Sequence, residues 1–599
     1  MSSTRRFSTK KNRSDSQSWS HCQLDKLRLH LSRPDALIQL AFLGMITGLL
    51  TGGIIVLFRI LVEEIQSGLL TGNSENYEAL SVEARFLYPV LGSLLIALIF
   101  HFFSKGIHVL GVARVMERMA FHQGYLTLRG FFLQFFGAAV AIISGHSVGR
   151  EGPNVFLGAA SSSLVGQFLG LPNNSIRTLV GCGTAGGIAA SFDTPLAGVI
   201  FALEVVMMEY TLASFMPIIL AAGSATFVAV LAFGDNATFI VPDIRLGSII
   251  ELPLVIILGI LAGILSAFFV NLLKSVAHHS RKMGLSSKLM LSGVLVGLIA
   301  IIEPGVMGIG YDTVSQALAG EVLFNALLIL LIFKLLATAA SIGLGIPGGV
   351  IGPALFLGAC LGGVFGLLIR IIFPDLHIDT GFYSVLGMGA VMGASLQAPL
   401  AALTAIMELT HSPQIIMSGM IAIVVANITA SEFFRTKSLF ISMLEANDVD
   451  VYTSPITQTL RRIGVGSVMN KSVAQVAQKI KPETIEHLLL EKPEWLLIAN
   501  NEHKHSQLMP AIELVKYIER QREDENVQQL DDWIDLLEIP ARRIEIAPIH
   551  LQATLEEALS KLDKHALNAL YIERMNTPGI MHLYGILTRE QIESAYQFK

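Results

Sequence analysis

Charge and cysteine are both scarce in this sequence. Only 15% of the 599 residues are Asp, Glu, Lys or Arg, against 52% hydrophobic ones, and the mean hydropathy is +0.60. Soluble domains carry about 25% charge, so an ordinary soluble enzyme is excluded and the chain is largely membrane-embedded. The three cysteines, Cys22, Cys182 and Cys360, are scattered. Two of them lie in glycine-rich apolar segments, where a thiol acts as a small hydrophobe. Neither a disulfide framework nor a metal site is expected.

Long apolar runs, by contrast, recur at about residues 36–61, 87–103, 213–233, 252–273, 287–302, 322–339 and 414–430. Several are long enough to cross a hydrocarbon core of roughly 30 Å, which excludes single-span and peripheral proteins. The net charge of −5 hides an asymmetry. Residues 1–33 carry Arg5, Arg6, Lys10, Lys11, Arg13, Lys26, Arg28 and Arg33 against Asp15 and Asp25. The positive-inside tendency places this tail, and so the N-terminus, in the cytoplasm. A short juxtamembrane basic segment is a commoner use of such a tail than a transit peptide or a nucleic-acid arm, and no nucleic-acid partner is expected.

Composition changes near residue 450, where glycine and long apolar runs give way to charged, helix-forming residues. This sets a basic tail at 1–33, a membrane domain at 34–450 and a cytosolic domain at about 466–599. With both termini cytosolic, the number of full crossings is even.

The membrane domain is internally repeated. GREGPNVFLGA at Gly149 to Ala159 matches GVIGPALFLGA at Gly349 to Ala359 in seven of eleven positions. ASFDTPLA from Ala190 recurs as ASLQAPLA from Ala394, and Glu204 and Glu408 follow at the same offset. Duplicated halves with short apolar segments broken by Gly and Pro at equivalent places point to an all-α transporter fold with broken helices meeting near the midplane. Periodicity leaves open whether the halves run parallel or inverted.

Pro153 and Pro353 each follow a glycine and open an apolar run. Proline is tolerated there because first-turn N–H groups lack intrahelical partners, so helices are expected to begin near Gly152 and Gly352. Inside a membrane those N–H groups and the positive dipole end need a partner, and a dehydrated anion satisfies both. Partial dipoles let the ion enter and leave, whereas a full cation would hold it. Tight helix packing on glycine is the plainer use of such segments, but packing alone does not require a loop, Gly-Pro and helix twice over.

Within this element Glu151 stands where the second copy has Ile351. An intramembrane acid costs about 2.5–3.5 kcal/mol on insertion scales and marks a functional site by default. Its carboxylate can occupy the site an anion would take, so side chain and ion compete, and protonation withdraws the competitor. A structural ion pair with Arg150 is the alternative. GHSVG at Gly145 to Gly149 also fits a nucleophile elbow, but an apolar helical run, Phe131 to Ile143, precedes it instead of a strand, and no enzyme activity is expected. A non-conducting membrane sensor leaves the duplicated cradle and Glu151 without a use.

GREGP at Gly149 to Pro153 and GGVIGP at Gly348 to Pro353, with ASFDTPLAGVIFALE at Ala190 to Glu204 and KSLF at Lys437 to Phe440, resemble the motifs of the CLC chloride channel and transporter family. The resemblance implies inverted repeats, a homodimer with one pore per subunit, Glu151 as the external gate, and amides of Val350 and Ile351 on the anion. It implies anion-binding positions at Gly149, Arg150, Gly152, Gly349, Gly352 and Phe440; a prokaryotic inner membrane is the default location. The first filter loop is best matched by VLGVA at Val109 to Ala113, which adds Leu110, Gly111 and Val112 to the site; KGIH at Lys105 to His108 is the competing alignment. Leu110 then replaces a serine and Phe440 a tyrosine, leaving the central site to backbone N–H groups and predicting broad selectivity among small anions.

Val205 stands where the family's exchangers carry an internal proton-relay glutamate, beside Glu204. This favours a passive, channel-like pore for chloride or similar anions; the alternative is a proton-coupled antiporter, with Glu204 on its proton path. Glu204 and its repeat partner Glu408 equally suit a shared structural role. The segment Ile546 to Glu593 reads as strand, helix, strand, strand and helix and is similar to a CBS domain, with a degenerate copy from about Ser467 to Arg520; the resemblance implies a smaller α/β cytosolic pair spanning 466–520 and 544–599. The resemblance implies an adenine-nucleotide site with Glu513 and Thr588 as candidates; Gln591 stands where the second copy would carry an acid. No other cofactor is required.

Overall fold

The computed structural model describes residues 28–29, 31–32, 36–70, 75–106, 110–234, 239, 251–375, 378–449, 455–490, 492–499, 506–523, 533–577 and 580–597. The basic tail apart from residues 28–29 and 31–32, together with Val109 and the Ile107 and His108 of the competing filter loop, lies outside the described residues, as does Cys22. The chain divides into two compact units, Leu37–Leu169 with Ile176–Tyr452, and Met1–Ala36 with Gly170–Ser175 and Thr453–Lys599.

The first unit is all-α. Its first half holds α1 (Leu37–Leu69), α2 (Val82–Phe103), α3 (Gly111–Phe121), α4 (Leu128–Ile143), α5 (Glu151–Phe168), α6 (Asn173–Phe192), α7 (Pro195–Phe201) and α8 (Leu212–Phe233). The second holds α9 (Leu252–Ser280), α10 (Leu285–Ile302), α11 (Tyr311–Leu318), α12 (Phe324–Gly343), α13 (Ile351–Ile372), α14 (Thr380–Leu396), α15 (Pro399–Thr410), α16 (Ile416–Ile428) and α17 (Leu439–Ala446). Among the described residues, eight helices are long and apolar enough to cross a membrane. Seven coincide with the apolar runs. The eighth, Ile351–Ile372, was not among them, although its mean hydropathy of 2.2 equals that of Leu37–Leu69. These helices are apolar all round rather than along one stripe, and large side chains such as Phe102 and Leu231 stay 69% and 71% exposed, as lipid-facing residues do.

Small residues set how closely the helices approach. Gly44, Gly48 and Gly52 of α1 lie against Pro217, Ala221 and Ala225 of α8, where a Cβ on Gly48 would sit 2.3 Å from the Ala221 carbonyl oxygen. In the second half Gly259 and Gly263 of α9 meet Ala422 and Ala426 of α16 in the same manner, at 2.8 and 2.7 Å from their carbonyls. The duplication therefore extends past the matched motifs, to helix pairs whose sequences have little in common beyond small residues one turn apart.

The second unit carries β1 (Val473–Ala477), β2 (Lys479–Ile480), α20 (Pro482–Leu490), β3 (Trp495–Ala499), β4 (Ser506–Pro510), α21 (Ala511–Glu523), β5 (Ile534–Asp535), β6 (Ile544–His550), α22 (Leu555–His565), β7 (Ala569–Thr577), β8 (Ile580–Thr588) and α23 (Arg589–Gln597), after two short helices, α18 (Pro455–Arg462) and α19 (Val465–Val468). One six-stranded sheet runs β1-β3-β4-β6-β7-β8. β1 pairs parallel with β3, and β6 with β7; β3 pairs antiparallel with β4, and β7 with β8. Two copies of one strand order thus meet across the antiparallel β4–β6 pair. The second copy is tied by a capping box between Thr554 and Glu557, which gives α22 a fixed start.

Candidate functional site

Helices α5 and α13 begin one residue earlier than the prolines suggest, at Glu151 and Ile351, and neither start has a side-chain cap. The loops ahead of them are joined. Gly149 donates its N–H to the Gly349 carbonyl at 2.8 Å and Gly349 returns a bond to Gly149 at 2.7 Å, an antiparallel bridge. A Cβ on Gly349 would lie 2.6 Å from the Gly152 nitrogen, and one on Gly152 would lie 2.8 Å from the Gly349 Cα. Glycine is therefore required for the two helix starts to approach this closely.

The buried Glu151 carboxylate lies between them. Its Oε2 accepts the Gly352 N–H at 3.1 Å, so an acid from one repeat serves an unpaired amide of the other. Its Oε1 accepts the Tyr311 hydroxyl. The bond falls on the Gly352 amide, one or two residues beyond the Val350 and Ile351 amides expected to hold an anion. Arg150 does not pair with Glu151. Its guanidinium lies 3.9 Å from Glu63, donates to the Ser191 carbonyl at 3.2 Å and sits over the rings of Tyr311 and Phe192, at 5.2 and 5.8 Å.

Two cavities are lined by the chain neighbours of Glu151, one by Arg150 and the other by Gly152. One of about 280 Å³ is lined by Arg59, Glu63, Glu75, Arg150, Asp193 and Tyr311. The other, about 150 Å³, is lined by Leu110, Gly111, Val112, Gly152, Gly349, Val350 and Phe440, among others. Seven of the residues singled out from sequence thus line one cavity, with Leu110, Gly111 and Val112 among them. The Gly111 amide is already engaged, donating to Gln134 Oε1 at 2.8 Å. Phe440 packs edge-on against Phe201 with ring centroids 6.4 Å apart.

Sequence reasoning missed Tyr311, Gln134 and Lys334. Lys334 is fully buried in α12, and a lysine inside an apolar helix was the signal that could have found it. Ser147, the nucleophile of the elbow pattern, bonds the Thr338 hydroxyl at 3.0 Å, and His146 reaches the Ser93 hydroxyl at 3.0 Å.

Glu204 lies in a π-helical turn, Ala202–Met207, that follows α7. It accepts the Leu400 and Ala401 N–H groups, at 3.3 and 2.7 Å, at the uncapped start of α15. Glu408 does the same for Leu196 and Ala197 at the start of α7, at 2.9 and 2.7 Å. The nucleotide candidates are used locally: Glu513 pairs with Lys516 at 2.9 Å, and the Thr588 hydroxyl accepts the Gln591 N–H at 3.3 Å.

A family model described as voltage gated chloride channel matches residues 92–431. The putative chloride channel protein ClcB-like of Ralstonia nicotianae is 33% identical over 384 residues, covering 63% of this chain and 90% of that protein. The H(+)/Cl(−) exchange transporter ClcA of Vibrio cholerae serotype O1 is 29% identical over 407 residues, 66% of this chain and 86% of the relative. Among solved structures, a slow cyanobacterial Cl−/H+ antiporter superposes with a TM-score of 0.62 at 20% identity, covering 68% of this chain and 97% of that one.

Proposed function

Starting from the chain's membership of the voltage gated chloride channel family, we propose that this multi-pass membrane protein exchanges chloride or a similar small anion for protons, with Glu151 as the group that both competes with the anion and carries the proton. One observation carries the proposal: the Glu151 carboxylate occupies the cradle made by the paired helix starts, bonded to the Gly352 amide. An ionised carboxylate there blocks the anion, and a protonated one no longer claims the positive dipole ends. Alternation between the two ties anion occupancy to proton uptake.

The passive pore expected from Val205 yields to exchange as the leading reading, because relatives such as the Vibrio cholerae protein are named exchange transporters. Buried, apolar Val205 still favours a pore with weak or no coupling as the second reading, since a valine cannot relay a proton. Purified protein in liposomes separates them. A chloride gradient is expected to drive uphill proton movement in a fixed ratio, and Glu151→Gln is expected to abolish proton movement and the pH dependence of anion flux. Chloride flux with no proton movement would return the assignment to a pore, and a Glu151→Gln protein indistinguishable from the native one would remove the gate.

We further propose a homodimer in a prokaryotic inner membrane, both termini cytoplasmic, with the α/β unit as a CBS pair. The repeated strand order of that unit supports the pairing. Titration of the full-length protein with ATP, ADP and AMP tests for a nucleotide at Glu513 or Thr588; no heat with any of them removes that site.

A further inference from the structure

We propose that Tyr311 is a positioning residue of the gate, its hydroxyl latching the ionised Glu151 carboxylate in the cradle, and that buried Lys334 sets the place of that latch. The inference rests on Glu151 acting as the gate.

Tyr311 is the first residue of α11 and is gripped from several sides. Its N–H donates to Glu75 Oε2 at 3.2 Å, its ring meets Phe239 edge-on at 5.4 Å and Phe192 at 6.0 Å, and the Arg150 guanidinium lies 5.2 Å above it. The side chain is therefore held in one place, with its hydroxyl directed to Glu151. The loop that delivers it is fixed from below. Lys334 donates to the carbonyls of Val306, Gly308 and Ile309 at 3.1, 3.0 and 3.2 Å, and its ammonium lies 4.7 Å from the Phe356 ring centroid.

Gly308 also donates to the Gly145 carbonyl at 3.2 Å, and Gly310 turns the chain with φ of +83° directly before Tyr311. A Cβ at Gly310 would meet Phe356 Cε2 at 2.8 Å. An ammonium buried in an apolar helix is costly unless its donors are met. Here all three go to one loop, whose next residues are Gly310 and Tyr311. The loop ahead of α5, the helix that starts at Glu151, is tied to the same stretch through Gly145.

The latch favours one state of the gate. An ionised carboxylate only accepts and takes the phenol O–H as a charge-assisted bond, whereas a protonated carboxyl gains a donor of its own and needs the phenol less. Removing the hydroxyl should free Glu151 to leave the cradle and admit anions. The carboxylate feels Arg150 and Lys334 as well, so the hydroxyl has to be tested apart from their charge.

Chloride flux at neutral pH in liposomes, measured for native, Tyr311→Phe, Glu151→Ala and the double variant, does this. Tyr311→Phe keeps the ring and is expected to raise flux about fivefold or more in the native background, given the strength of bonds to charged groups. It should change nothing on Glu151→Ala, where no carboxylate remains to be latched. Lys334→Met, checked for monodisperse elution, should repeat the Tyr311→Phe effect, and Lys334→Arg should stay native. Native flux in Tyr311→Phe, or the same change in both backgrounds, would overturn the latch; native flux in folded Lys334→Met would remove Lys334 from it. Glu151→Ala with native flux would instead strike at the gate, which keeps the two failures distinct.

Discussion

Glu204 and Glu408 each cap a helix that belongs to the other's repeat: the Glu204 carboxylate takes the Leu400 and Ala401 amides, and the Glu408 carboxylate takes those of Leu196 and Ala197. The two starts they serve, at Pro399 and Pro195, have no caps of their own. A carboxylate at a helix N-terminus is favoured both as acceptor and by the dipole. The exchange of acids between halves therefore joins the repeats by four backbone bonds.

Glu204→Ala and Glu408→Ala should each destabilise the protein by about 1–3 kcal/mol, the range for leaving partly buried donors unpaired. The two losses should be similar, because the geometries are. Thermal unfolding in detergent measures this. Glu204→Gln keeps one acceptor oxygen but turns a donor NH2 toward the second amide, so it should recover only part of the stability while leaving the anion-to-proton ratio unchanged; a changed ratio in a folded protein would make Glu204 part of the proton path.

Gly349→Ala should abolish transport while leaving the protein in the membrane. The added Cβ lies 2.6 Å from the Gly152 nitrogen, closer than van der Waals contact permits, so the two helix starts must separate. Anion flux of the purified variant, with elution profile as the control for folding, checks it. Full activity would mean that the joined loops are not the anion's cradle.

Phe440→Tyr should narrow selectivity. Phe440 lines the cavity of about 150 Å³ without a hydroxyl, and an added O–H donor gives the anion a bond that rewards one size and hydration over others. The native protein is expected to pass chloride, bromide and nitrate at similar rates, and the variant to favour chloride. A native protein already strongly selective for chloride would contradict the expectation.

Acid should loosen α17, the helix that carries Phe440. Glu445 at its end bonds Lys437 and, at 2.9 Å, Lys274. These two bonds, Lys437 first, hold its carboxyl below the ordinary value of 4.5. A depressed value means the ion pairs stabilise the fold above about pH 4.5 and fade as pH falls through the lowered value. At a partly exposed site the contribution is at most about 1 kcal/mol. Glu445→Gln should remove this acid-dependent part of thermal stability, and an unchanged profile would refute it.

Much of this could be read in the linear sequence because chemistry and position coincide there. The Gly-Pro helix starts follow from proline's missing N–H, and the repeat from seven shared residues in eleven. The span Ile351–Ile372 escaped although its mean hydropathy of 2.2 equals that of Leu37–Leu69: the repeat marks it first as a helix start, and its glycines pack in the fold against Tyr383 and Gly387. Tyr311 escaped for another reason: it is 160 positions from Glu151, in a segment with no repeat or motif, and nothing local marks a tyrosine whose partner comes from elsewhere.

The sequence by itself determined that the chain is a membrane protein, that it is duplicated, and that a lone acid stands at one of two equivalent helix starts, since composition, repetition and proline chemistry are local properties. The tertiary structure alone decided which amide the acid takes, which hydroxyl faces it and which repeat each capping glutamate serves. Those pairings join residues 160 to 212 positions apart, and only packing, through glycines that let two backbones touch, brings such groups within bonding distance.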